Sequence, residues 1–129
     1  MYAVMKRVLL LICLFTTSLV YSQSTSKVSR VDIKVKEGAE FKHLRTTYPT
    51  DMDLTIKGKV ITVTNKTNSR YTTYGNGQQR VTNNYRETEW SALDEEGVRC
   101  RLSLIKYDNG VFVVFVAYSD VIVIYELED

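Results

Sequence analysis

The strongest constraint on the fold is an alternation of apolar and polar residues in short runs that tight-turn sequences separate. Val31, Ile33 and Val35 alternate with charged residues, which is the pattern of a strand with one buried face. Further short runs rich in apolar residues follow near 54–63, 98–106, 111–118 and 121–127. Seven to nine short strands joined by tight turns predict an all-β domain, an antiparallel meander that forms a small barrel or sandwich.

The position of the turn in the first hairpin can be inferred from the side chains that it places on each face of the hairpin. A type II′ turn at Gly58-Lys59 pairs Ile56 with Ile61 and keeps the apolar residues on one face. Moving the turn back by one residue would set Ile56 opposite Lys59 and mix the two faces. The sequence therefore predicts a hairpin over residues 54–63 with this register.

The last three runs predict two further hairpins. A three-residue loop at 108–110, with Gly110 in the left-handed conformation, sets Leu104 opposite Val114. A tight connection at 119–120 continues the same apolar face onto the final run. The opposite face of this unit is also apolar, which is unusual for a sheet face exposed to water. Ordinary packing of a curled sheet would account for this strip. A second sheet, the segment 37–53 or another copy of the chain could also cover it. The strip consists of Ile105, Val113, Phe115, Ala117, Ile122 and Ile124.

The segment 37–53 has no clear period of two. Phe41, Leu44 and Tyr48 have a loosely helical spacing, and Pro49 prevents a helix from continuing. We therefore predict a single helical turn or an irregular crossover here.

The beginning of the chain resembles a secretory signal peptide. Lys6 and Arg7 precede the apolar run 8–15, which is shorter than the ~18 residues of a membrane span. Cleavage after Ser22 would remove residues 1–22 and leave one all-β domain, residues 23–129, with no stable membrane span. We expect a secreted or periplasmic protein, and an uncleaved anchor is the alternative.

Removing residues 1–22 also changes the cysteine count and the charge. Cys100 remains alone, so no intramolecular disulfide can form. Without Lys6 and Arg7, the 17 basic residues become 15. This equals the number of acidic residues, so the formal net charge is zero. A net-neutral exported domain disfavours nucleic acid as a partner.

No catalytic or cofactor motif is present. His43 is the only histidine, so a cluster of histidines cannot bind a metal. Cys100 shares the buried face of its run, which is typical of a packing cysteine rather than of a nucleophile paired with His43. A pair of carboxylates for glycoside hydrolysis stays open, because the sequence selects no pair. We predict a non-enzymatic protein without cofactor or metal.

The stretch 70–90 combines tyrosines, arginines and the strong hairpin signal Asn76-Gly77. A type I′ turn there gives a hairpin with no apolar face, which predicts a protruding or edge hairpin with both faces exposed to water, or a mobile loop. Trp90 lies where the chain re-enters the body and is predicted to anchor the core or its rim. The predicted binding residues in this stretch are Arg70, Tyr71, Tyr74, Asn76, Arg80, Tyr85 and Arg86.

These features predict an exported binding or interaction module that recognises a macromolecule or assembles with itself, so its partner is a protein or a second copy. One alternative is a calycin-type, lipocalin-like barrel that carries a small ligand, which is an analogy at the level of fold. Another is binding of a glycan or an anionic polymer through the Tyr/Arg hairpin. A central cavity would favour the carrier.

Overall fold

The structure is a computed structural model that describes residues 23–128, so the predicted signal peptide lies outside the described residues. Residues 23–128 contain no helix with the length and hydropathy needed to cross a membrane. Their nine strands are β1 (Gln23–Glu37), β2 (Glu40–Thr47), β3 (Asp53–Lys57), β4 (Val60–Thr64), β5 (Asn68–Val81), β6 (Tyr85–Asp94), β7 (Arg99–Tyr107), β8 (Phe112–Ala117) and β9 (Val121–Leu127).

Eight of these strands form a closed antiparallel barrel in the order β1-β3-β4-β5-β6-β7-β8-β9, and pairing of β9 with β1 closes it. The long strand β1 makes the closure possible. Its first part, Gln23–Lys27, pairs with β3, and its second part pairs with β9 on one edge and β2 on the other. The all-β prediction is confirmed, and the architecture is a barrel with β2 as one extra strand.

The registers predicted from turn chemistry are confirmed in the hairpins β3–β4 and β7–β8. Gly58 has a φ of 60°, and Ile56 faces Ile61. Within residues 23–128, positive φ values occur only at glycines, so Lys59 does not have one. This agrees with a type II′ turn, which needs a positive φ only at its first central position. Gly110 has a φ of 91°, and Leu104 faces Val114.

The tight connection between β8 and β9 is also confirmed. The Tyr118 backbone N–H donates to the Val121 carbonyl oxygen over 2.8 Å, and Val116 faces Val123. The apolar face of these strands therefore continues around the barrel without a break.

Side chains from every barrel strand fill the interior, and the free Cys100 lies among them. Trp90 packs against this core, as predicted. The buried members of the core are Val28, Val31, Leu54, Ile61, Val63, Tyr71, Ala92, Cys100, Leu102, Val114, Val116, Tyr125 and Leu127.

The second apolar face of the last strands lies on the outside of the barrel. Ile105 and Val113 are buried there, and Phe115, Ile122 and Ile124 are half-buried. The described strands form one continuous sheet, so this strip does not face a second sheet.

The prediction of a helical turn or irregular crossover in 37–53 is wrong, because β2 occupies most of this segment. Gly38 has a φ of 64°, which permits a tight turn straight after β1. The chain then folds back along β1, and backbone pairing with that strand outweighs the weak helical spacing of Phe41 and Leu44. Pro49 follows the end of β2, where no ladder hydrogen bond is lost.

The predicted Asn76-Gly77 hairpin is also wrong, because β5 runs through this position. The ladder with β6 is irregular between Tyr74 and Gln78, and the reversal comes later, where the Thr82 N–H donates to the Tyr85 carbonyl. Tyr71 and Thr73 turn inward and give the first part of β5 a buried face, which the prediction of a hairpin without a core side did not allow. Residues 74–84 are exposed, as predicted for the rest of this stretch.

Candidate functional site

The structure does not place the seven predicted binding residues on one surface. The Tyr71 ring lies inside the barrel and is 6% exposed. Arg80 forms an ion pair with Glu87, with 3.5 Å between nitrogen and oxygen. The Tyr85 ring packs against that of Tyr107 at a centroid distance of 5.9 Å. Tyr71 is therefore a core residue and Tyr85 packs against another ring, whereas the Arg80 side chain stays 67% exposed beside Glu87.

The other four candidates stay accessible at separate places. Arg70 lines a groove on the outer face of β3–β5, and Tyr74 borders a different depression near β7. Asn76 is exposed in the irregular part of β5, and Arg86 lines a small depression at the end of β6. Arg70 lies beside a row of threonines and a second cation, Lys57.

Three tyrosine hydroxyls form a polar cluster with Asp94 near one end of the barrel. The Tyr118 hydroxyl donates to Asp94 Oδ2 over 2.9 Å, and the Tyr71 hydroxyl lies beside those of Tyr118 and Tyr125. Burial raises the pKa of Tyr71 to about 12 and also raises the pKa of Tyr125, so these phenols stay neutral. Within residues 23–128 every buried side-chain nitrogen or oxygen has a hydrogen-bond partner, so this cluster is part of the barrel's packing.

Asp94 also closes the turn before β7, because its Oδ1 accepts from the backbone N–H groups of Val98 and Glu96 at 2.8 and 3.0 Å. The hydrogen bond from the Val98 N–H is the main cause that lowers the pKa of Asp94 below 3.8. A lowered folded-state pKa stabilises the fold above the unfolded-state value, and this contribution is lost as the pH falls through the folded-state value.

We therefore expect Asp94→Asn to destabilise the protein at pH 6 and to converge with the wild type well below pH 3.8. Urea unfolding at a series of pH values measures the difference. Asp120→Asn, at an exposed turn, is the matched control and should show a small difference that does not change across the series. A constant gap between Asp94→Asn and the wild type would contradict the assignment.

The thiol of Cys100 and the ring of His43 lie on different faces. Cys100 packs in the core, and burial raises its pKa to about 11, so the thiol is protonated at neutral pH. His43 is exposed on β2, with Nε2 2.6 Å from Thr46 Oγ1. In residues 23–128 no group of three or more His, Cys, Asp or Glu side chains is arranged to hold a metal ion.

A shallow groove on the outer face of the sheet lies beside Arg70, one of the predicted residues. It has a volume of about 570 Å³ and crosses the outward faces of β3, β4 and β5. Its lining includes Thr55, Lys57, Val60, Thr62, Thr64 and Arg70. Sequence reasoning missed most of these residues, although the register of the β3–β4 hairpin already placed Thr55 opposite Thr62 on the outward face.

A different surface is the free edge of β2. This strand pairs with β1 on one side and, among the described strands, has no partner on the other. Nearly all of its residues are exposed, and Phe41 and Leu44 on it and Tyr48 just after it are large exposed hydrophobic residues. Leu44 is 60% and Tyr48 is 70% exposed. The spacing of these residues gave no strand signal in the sequence.

A side-chain cluster on the outer face fixes β2 against β1. The Thr46 hydroxyl donates to Asp32 Oδ1, and Arg30 Nε donates to Asp32 Oδ2 over 2.9 Å. Because Thr46 uses its only hydrogen on Asp32, it accepts from His43 Nε2, which must carry a proton. The cluster holds β2 extended and leaves its other edge open.

Comparison of this chain with protein-family models, with curated proteins and with solved structures finds no match.

Proposed function

We propose that this protein is an exported, non-enzymatic binding module that recognises an extended acidic segment of a partner protein by strand addition to β2. The free edge of β2 beside an otherwise closed barrel is the observation that carries the proposal. Barrel closure removes sheet edges, whereas β2 keeps one edge unpaired along its length, and such an edge is a surface for pairing.

The backbone of β2 supplies the general affinity in this proposal. In an antiparallel strand, alternate residues direct their N–H and C=O groups away from the existing partner, so alternate residues of β2 can pair with an added strand on each side of the register shift at Leu44. The exposed Phe41 and Leu44 side chains would pack against alternate side chains of the added segment. This combination of backbone pairing and side-chain contacts is the general mode of strand addition.

The charges of β2 favour an acidic partner over a second copy. Arg45 has no ion-pair partner among the described residues, and Lys42 has only an exposed contact with Glu37, at 3.1 Å. If two β2 strands paired antiparallel about their midpoints, Lys42 of one would face Arg45 of the other. Like charges opposite each other destabilise a pair of strands, whereas Asp or Glu at those positions would be attracted.

Residues 23–129 displayed against a library of random 12-residue peptides test the proposal. We expect enrichment of peptides in which acidic and apolar residues alternate, and protection of β2 amides from hydrogen exchange when such a peptide binds. Lys42→Glu with Arg45→Glu should weaken binding of the selected peptide by about tenfold or more, because both charges then repel it.

Lys57→Glu with Arg70→Glu is the matched control, because it makes the same change in net charge on the groove and should leave peptide affinity within about twofold. Equal losses in both variants, or protection of amides outside β2, would overturn the proposal. A β2-mediated dimer of the unliganded protein, detected by light scattering, would replace the acidic partner with a second copy.

A small-ligand carrier has less support. Such a protein needs an internal cavity, and the core side chains occupy the interior of the barrel. The outer surface is therefore the better place to look for binding.

A further inference from the structure

We propose that the groove on the outer faces of β3, β4 and β5 is a second binding site, which takes a chain of sugars bearing anionic groups. This site is independent of the β2 edge. It uses Arg70, one of the residues singled out from the sequence, together with residues that the sequence did not point to.

Strand register fixes which side chains meet at the groove. Thr25, Thr55, Thr62 and Arg70 form one row across β1, β3, β4 and β5. The neighbouring row consists of Gln23, Lys57, Val60 and Thr72. The outward face is therefore almost entirely polar, with hydroxyls in the middle and a cation in each row.

The two cations are available to a ligand. Neither Lys57 nor Arg70 has an ion-pair partner among the described residues. The neighbouring Asp53 is paired with Lys27 at 3.5 Å, and Glu95 accepts from the Arg70 backbone N–H at 3.1 Å. Residues 54–86 contain no acidic residue, so this stretch contributes only cations to the groove.

The threonines suit a hydroxylated ligand. Each hydroxyl both donates and accepts, as sugar hydroxyls do, so the two can exchange hydrogen bonds in either direction. Thr25 and Thr55 bond to each other over 3.0 Å, which orders the row and leaves further acceptor capacity. The Val60 side chain forms a less polar part of the groove, next to Gly58, which has no side chain. The face of a sugar ring can pack against this part.

The spacing of the cations suits a chain of sugars. Lys57 and Arg70 lie two strands apart and in adjacent rows. With strands about 4.8 Å apart and about 3.4 Å per residue, their Cα atoms are separated by roughly 12 Å. A chain that crosses the groove can therefore bring one anionic group to each cation. Neither row contains an aromatic residue that could stack on a base, which disfavours single-stranded nucleic acid.

Titration with four polymers tests the site: dextran sulfate, polygalacturonate, neutral dextran and polyphosphate. We expect dextran sulfate or polygalacturonate to bind and to weaken as salt rises, and the better of the two identifies the anionic group. Lys57→Gln with Arg70→Gln should lower that affinity about tenfold or more, because charge-assisted hydrogen bonds are lost. Thr62→Val, which keeps the shape of the side chain, should lower it about threefold.

Lys34→Gln with Lys36→Gln is the matched control, with the same change in net charge on the distal half of β1, and should change affinity less than twofold. The proposal is overturned if no charged polysaccharide binds, if both double variants lose affinity equally, or if dextran or polyphosphate binds as tightly. Because these variants leave β2 untouched and the peptide experiment leaves the groove intact, failure of one proposal is distinguishable from failure of the other.

Discussion

Leu102→Ala is expected to lower the free energy of unfolding by about 2–5 kcal/mol, the usual cost of removing a large side chain from a packed core. The Leu102 side chain is 0% exposed and lies on the interior face of β7, opposite Val116 of β8. Because interior side chains come from all eight barrel strands, its neighbours cannot move together to fill the space. Urea unfolding at pH 7 measures the loss.

The same experiment separates a packed barrel from a ligand carrier. Leu44→Ala removes the same atoms from a side chain that is 60% exposed, so it should change the free energy by less than about 0.5 kcal/mol. If Leu102→Ala cost as little as this control, the interior would contain free space. The small-ligand alternative would then regain support over binding at the outer surface.

Gly77→Ala is expected to destabilise the protein by about 1–3 kcal/mol, because the added methyl group overpacks the site beside Trp90. A Cβ atom at Gly77 would lie 2.5 Å from Trp90 Nε1 and 2.9 Å from Thr88 Cγ2. Gly77 is not among the glycines with positive φ, so backbone strain does not explain the requirement. The irregular part of β5 thus brings the backbone against the indole.

A double-mutant cycle with Trp90→Leu tests this contact. The smaller side chain leaves room for the methyl group, so Gly77→Ala should cost at least about 1 kcal/mol less in that background. The chain has a single tryptophan, so its fluorescence reports directly on the indole in Gly77→Ala. Gln78→Ala, at an exposed neighbouring position, should change neither signal. Additive losses in the cycle would contradict the contact.

The parts of the fold that could be predicted are those in which two signals agree. At β3–β4 and β7–β8, a glycine with a required backbone conformation and the parity of the apolar residues select the same register. Each of these signals acts within a few residues of the turn. Barrel closure is different, because it depends on pairing between β1 and β9, which no local pattern encodes.

The predictions that failed also depend on contacts between parts of the chain that are distant in sequence. At Asn76-Gly77 the local turn signal was strong, but burial of Tyr71 and Thr73 and the close approach of Gly77 to Trp90 determine the path of β5. A tyrosine can lie in a core when other side chains satisfy its hydroxyl. The lack of aliphatic residues therefore did not exclude a buried face on this part of β5. The strand β2 gains its stability from β1, and its own sequence has no strand period.

The candidate site was predictable only in part. Arg70 was predicted as a binding residue, but as part of the hairpin at Asn76-Gly77, which does not form. Lys57 and Thr62 belong to a hairpin whose register was predicted correctly, and their outward direction followed from it. Their convergence with Arg70 depends on pairing between β4 and β5, which was not predicted from the sequence.

The seam between β1 and β9 also determines the order in which the barrel can be completed. The Ser29 hydroxyl donates to the carbonyl of Glu126, 97 residues later in the chain. During synthesis, the edge of β1 that receives β9 stays unpaired until the last strand has been made. Contacts of such long sequence separation slow folding, and the nascent chain meanwhile exposes apolar strand surface to other chains. The feature that closes the finished barrel therefore makes the growing polypeptide dependent on protection from aggregation.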